Sequence, residues 1–130
     1  MSSELDITFL DLEDVISIHD SRVEIYGGSP GIRDLGLLKS AIAVPMSGFG
    51  GQHLYADVFE MAAAYMFHIV QNHPFVDGNK RTGLAAALVF LGINGIEINV
   101  ASDMLFELTI SVAQGQKDKS SIAKFFRLYA

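Results

Sequence analysis

The chain has 130 residues, half of them apolar, a net charge of −6 and no cysteine. Residues 1–130 are long enough for one domain with a real core; the missing cysteines exclude a disulfide framework and a thiolate zinc site and agree with a reducing cytoplasm, and the acidic balance opposes nonspecific binding to nucleic acid. No stretch of about 18 uncharged apolar residues exists, which argues against a membrane span, and Met1-Ser2-Ser3-Glu4-Leu5-Asp6 is too polar and acidic for an export signal, so a cytoplasmic location is expected.

Taken in chain order, the apolar spacing is almost entirely helical. Asp11 suits the cap of a first helix in which Leu12, Val15, Ile16, His19, Val23 and Tyr26 recur at helical intervals, and Gly27-Gly28 stop it. Asp34 can cap a short second helix through Leu37, Leu38, Ala41 and Ile42 that ends before Pro45. Residues 46–55 are too glycine-rich for a helix and read as a mobile loop. Residues 57–72 are apolar nearly all round, so this third helix should be central, with Met61 and Met66 as core fillers. A fourth helix starts near Asn79 and closes at Gly95. Glu97-Ile98-Asn99-Val100 alternate like a short strand, for which Ile7-Thr8-Phe9-Leu10 is the expected partner. Ser102 then caps a helix to about Ala113, residues 115–119 form a polar turn, and a last helix ends near Leu128. The expected fold is all-α, about six helices around two central ones with at most a minor β element.

Between the two central helices lies His73-Pro74-Phe75-Val76-Asp77-Gly78-Asn79-Lys80-Arg81. Pro74 cannot continue the preceding helix and disfavours α geometry in His73, so the imidazole sits on a bend. Gly78 permits a tight turn. The free N–H groups and positive dipole end of the next helix face that bend and favour anions. Lys80 and Arg81 add charge where the dipole disfavours cations, which a plain helix corner would not need and an anionic ligand would explain.

The nine residues resemble the signature of the Fic/Doc (Fido) family, His-x-Phe-x-Asp/Glu-Gly-Asn-Gly/Lys-Arg, and meet every specified position. Tyr26-Gly27-Gly28-Ser29-Pro30-Gly31-Ile32-Arg33-Asp34-Leu35-Gly36-Leu37-Leu38 and the chain length resemble its death-on-curing branch, the toxins of bacterial toxin–antitoxin pairs. AMP-transferring members usually have glycine where Lys80 stands and a second arginine where Leu84 stands. Both departures imply the kinase-like branch, which passes the γ-phosphate of ATP to a threonine of elongation factor Tu and so inhibits translation. A protein AMP transferase and a catalytically silent binding module are the alternatives.

The resemblance implies His73 as the base that takes the hydroxyl proton, a task suited to an imidazole, which titrates near neutrality. It implies Asp77 as the Mg²⁺ ligand, and Gly78, Asn79, Lys80 and Arg81 as the groups that hold the phosphates of ATP. Phe75 should turn inward and, with Pro74, support the motif. The loop before the central helix takes the place of the family's target-docking flap, which makes Gly48, Phe49, Gly50, Gly51 and Tyr55 candidates for docking. No Ser or Thr is followed four residues later by Glu, as a self-inhibitory helix of the family would require. Restraint is therefore expected from an antitoxin whose C-terminal segment folds along the cleft. His68 lies five residues before His73, wrong for a zinc pair on one helical turn, and reads as a hydrogen-bonded core histidine. His19 and His53 carry no assignment.

Overall fold

The computed structural model describes residues 6–130; the segment 1–5, on which the export argument partly rests, lies outside the described residues. Six helices carry the fold: α1 (Leu12–Tyr26), α2 (Leu35–Ala43), α3 (Val58–Asn72), α4 (Asn79–Ile93), α5 (Ser102–Ala113) and α6 (Lys119–Tyr129). Aspartates start four of them. The carboxylates of Asp11, Asp34, Asp57 and Asp118 accept from backbone N–H groups three residues on, at 2.8–2.9 Å, satisfying donors that the first turn leaves unpaired. Asp14 reciprocates to the Asp11 N–H, completing a capping box on α1.

As expected from its all-round apolar sequence, α3 is central, packing against α2, α4, α5 and α6, while α4 packs against α1, α3 and α5. Met61, Ala62, Tyr65, Met66, Ile69 and Val70 of α3 join Ala86, Ala87, Phe90 and Leu91 of α4 in the buried core. Gly83 sets how closely the two helices approach. A Cβ there would come within 2.6 Å of Val70 Cγ2 and 3.1 Å of the Met66 carbonyl. No helix among the described residues is long and apolar enough to cross a membrane.

The structure corrects four expectations. Residues 97–100 and 7–10 form no strand pair: the Asn94 side chain instead clasps both backbone groups of Thr8 (3.0 and 2.9 Å), and Asn99 N–H donates to the Tyr129 carbonyl. Tyr65, whose hydroxyl burial pushes up to about 12, accepts from the Leu10 N–H and donates to its carbonyl, so side chains take the bonds a partner strand would have supplied. The β element lies elsewhere, as a hairpin of β1 (Gly48–Phe49) and β2 (Gln52–His53) within the supposed mobile loop. A 3-10 turn, Val44–Met46, leads into it, and Gly48 is required because any Cβ would collide with the Gln52 carbonyl across the hairpin. The cap of α5 is Ala101, with no side-chain bond, and Ser102 is the first helical residue. His68 is half-buried rather than in the core, its Nε2 3.0 Å from Lys119 Nζ.

Candidate active site

The nine-residue motif occupies the junction between α3 and α4, and its shape follows from how each helix terminates. At the end of α3, His73 adopts φ 50°, ψ 53°, in the left-handed region, the one positive-φ non-glycine among the described residues. Such a conformation persists in histidine only when its surroundings hold it. Arg33 does so: its Nε donates to the His73 carbonyl at 2.6 Å and its Nη2 to the Asn72 carbonyl at 2.9 Å, placing a cation at the negative end of α3. The Pro74 carbonyl accepts from the N–H groups of Arg33 and Asp34, and Val76 N–H donates to the Gly31 carbonyl. The bend is thereby laced to the segment before α2.

Below it, Phe75 is buried and lies flat on His19 of α1, ring centroids 3.8 Å apart and 5° from parallel. His19 Nε2 donates to the Asp77 carbonyl at 2.8 Å, which requires the tautomer protonated on Nε2. The Asn79 side chain brackets Phe75, accepting from its N–H at 2.9 Å and donating to its carbonyl at 3.0 Å. Asn79 is buried, so its side chain serves the loop while its N–H remains among the first-turn donors of α4. Gly78, at φ 77°, turns the chain into α4.

The exposed Asp77 carboxylate accepts from Ser29 N–H at 3.1 Å and Gly78 N–H at 2.9 Å. These two bonds, aided by the smaller pull of Arg81 and Lys80, hold its pKa below the usual carboxylate value against the opposing effect of desolvation. Gly28 makes the approach possible, since a Cβ there would lie 2.7 Å from Asp77 Oδ2.

From this mouth a groove of about 830 Å³ runs between α1, α4 and α5. Asp77, Gly78, Asn79, Lys80 and Arg81 line one end, and Leu84, Leu88, Leu105 and Phe106 line the apolar remainder. Arg22 and Tyr26 of α1 face the motif across it, the guanidinium carbons of Arg22 and Arg81 lying 5.5 and 4.9 Å from the Tyr26 ring centroid. His73 is exposed on the bend and is not part of the groove wall. Gly48, Phe49, Gly50, Gly51 and Tyr55 do not line it either; Phe49 is 93% exposed at the hairpin, and the Tyr55 hydroxyl accepts from Lys119 Nζ at 2.8 Å.

Among the described residues no cluster of three or more His, Cys, Asp or Glu could cage a metal ion. Asp77 is the one acidic residue in the groove wall among the described residues, and its lowered pKa favours the ionised form. That donor set fits magnesium, which takes one or two carboxylates and leaves its other positions to phosphate oxygens and water, and does not fit a closed protein site. His19 and Arg33 escaped sequence reasoning as parts of the site. The available signals were the helical spacing that turns His19 inward with Val15 and the cation beside the Gly27–Gly31 turn, and neither names a partner 58 or 40 residues away.

The profile described as "Fic/DOC family" matches residues 9–91. The "Protein kinase doc" of Escherichia phage P1 is 36% identical over 115 residues, covering 88% of this chain and 90% of that protein. The "Toxin Doc" of Mycolicibacterium smegmatis is 38% identical over 117 residues, covering 88% of each.

Proposed function

The chain belongs to the Fic/DOC family, and from that premise we propose that it is the toxin of a bacterial toxin–antitoxin pair, one Fido domain acting as a protein kinase. It transfers the γ-phosphoryl group of ATP to a threonine or serine hydroxyl of a translation factor, elongation factor Tu, and so stops translation in the cytoplasm. The observation that carries this reading is the charge at the start of α4. Lys80 and Arg81 stand exposed at the dipole's positive end with an ionised Asp77, and an exposed histidine four residues before Asp77 is held on a strained bend. The relative named a protein kinase supports a phosphoryl rather than an adenylyl group as cargo.

In this reaction the target hydroxyl oxygen bonds to the γ-phosphorus as the bond to the bridging oxygen breaks, and ADP leaves. His73 takes the hydroxyl proton. The N–H groups of the first turn of α4, with Lys80 and Arg81, steady the charge on the transferring group, because phosphoryl transfer is chiefly positioning and electrostatics. Asp77, together with the phosphates, would hold magnesium, which would supply charge neutralisation there. The exposed hairpin carrying Phe49 docks the target. The apolar length of the groove accommodates the C-terminal segment of an antitoxin, which occupies the cleft and withholds the site.

The test is incubation of the purified chain with elongation factor Tu and Mg²⁺-ATP labelled at the α or the γ phosphate. Label from the γ position, gained by the factor and lost on His73→Ala with ATP binding intact, is the expected result; a fall of roughly 10²-fold or more suits a positioned base. Label from the α position would replace the kinase reading with AMP transfer. No label from either, with no nucleotide bound, would leave a binding module.

A further inference from the structure

We infer that Arg22 of α1 is a second phosphate-binding guanidinium, supplying from across the groove the fork that α4 lacks at Leu84. The inference rests on the nucleotide-transfer reading above. Arg22 lines the same groove as Lys80 and Arg81, and the guanidiniums of Arg22 and Arg81 both lie over the Tyr26 ring. One aromatic residue thus steers two forks from different helices toward one end of the groove.

The state of Arg22 points to a ligand. Its one hydrogen bond is a long one, 3.3 Å from Nη2 to the adjacent Ser21 Oγ, and it has no carboxylate partner among the described residues. Its Nε is shut off from solvent and donates to nothing among the described residues. A buried, unanswered donor on a permanent cation is costly. So is gathering Arg22, Lys80 and Arg81 around a single opposing carboxylate, Asp77. A polyanion bound in the groove that Arg22 lines offsets the second of these costs. A residue that merely stacked on Tyr26 would not need its place in the groove wall opposite the α4 terminus.

The site favours a nucleoside polyphosphate over an acidic peptide. Adjacent phosphoryl groups concentrate several charges within a few bond lengths and present paired oxygens to forked donors, whereas successive peptide carboxylates are spread along a chain. Leu84 leaves its part of the wall apolar, so a second clamp has to arrive from α1.

Calorimetric titration with ATP, ADP and adenosine, in the presence of Mg²⁺, tests the assignment on the wild type, Arg22→Met, Arg22→Lys and Arg81→Ala. Arg22→Met retains an unbranched side chain of similar length without the guanidinium; it should bind ATP about tenfold to a hundredfold more weakly, ADP with a smaller loss, and adenosine as the wild type does. Arg22→Lys, which keeps charge but not the fork, should fall between, and it carries the test if the Met variant fails to fold. Wild-type ATP affinity in both Arg22 variants, with Arg81→Ala impaired, would overturn the inference and reduce Arg22 to a stacking residue. Intact ATP binding together with lost binding of a glutamate-rich peptide would overturn it in favour of a protein partner. Failure of the wild type to bind ATP would bring down the nucleotide reading itself, a result distinguishable from either.

Discussion

Replacing His19 tests how the bend that carries the proposed base is supported from beneath. The imidazole does two things: it lies flat on Phe75 at 3.8 Å and donates from Nε2 to the Asp77 carbonyl at 2.8 Å, in a site where His19 is 1% exposed. His19→Phe keeps a flat ring on Phe75 and removes the donor, leaving a part-buried carbonyl unanswered at a cost of about 1–2 kcal/mol. His19→Ala also empties the space under Phe75, raising the loss to about 3–5 kcal/mol, on the scale of other aromatic truncations. Against a total stability of about 5–15 kcal/mol, the first variant stays folded and the second approaches the margin. Urea denaturation at constant slope measures both losses. Since the same bond holds the backbone of the Asp77–Gly78 turn, His19→Phe should also weaken Mg²⁺-ATP binding several-fold under conditions where it is fully folded. A denaturation midpoint equal to wild type in His19→Phe would show that the bond contributes nothing, and a smaller loss in His19→Ala than in His19→Phe would refute the stacking contribution.

The clamp on His73, the proposed base, makes a second expectation: Arg33→Met should lower stability by only about 1 kcal/mol, because the two carbonyls it frees are exposed to water, yet slow the proposed transfer about tenfold by releasing His73 from its left-handed conformation, with ATP affinity unchanged; an unaltered kcat would dissociate the clamp from catalysis. His68 gives a pH dependence, since burial and then Lys119 hold its pKa below the ordinary 6.5. The unfolded chain therefore takes up the proton first as pH falls, so stability present above the ordinary histidine value is lost through it and levels off below the depressed folded value. In His68→Gln that step should vanish, and an equal fall in Tm between pH ~8 and ~5 in both proteins would exclude His68 as its source.

What the sequence determined by itself was set over short range. Asp11 and Asp34 answer donors three residues away, Gly27 and Gly95 take positive φ at helix ends, and the nearly all-round apolar character of residues 57–72 leaves that helix little solvent face. Each of these is a rule within one turn or along one helix, so it survives without knowledge of the fold. The motif was legible for the same reason, its nine residues being contiguous. The alternation at residues 97–100 misled because four residues can satisfy a strand period by chance, and what became of them depended on Asn94 reaching Thr8 and on Asn99 reaching Tyr129. Likewise His19 beneath Asp77, Arg33 around His73 and Arg22 opposite Arg81 are pairings across 40 to 59 positions, created only when α1 packs on α4 and the segment before α2 lies along the bend. A polar side chain carries its donors wherever it stands; which acceptor it meets is decided by the packing of apolar helix faces that specify no polar partner, and for that reason the support of the site belonged to the tertiary structure alone.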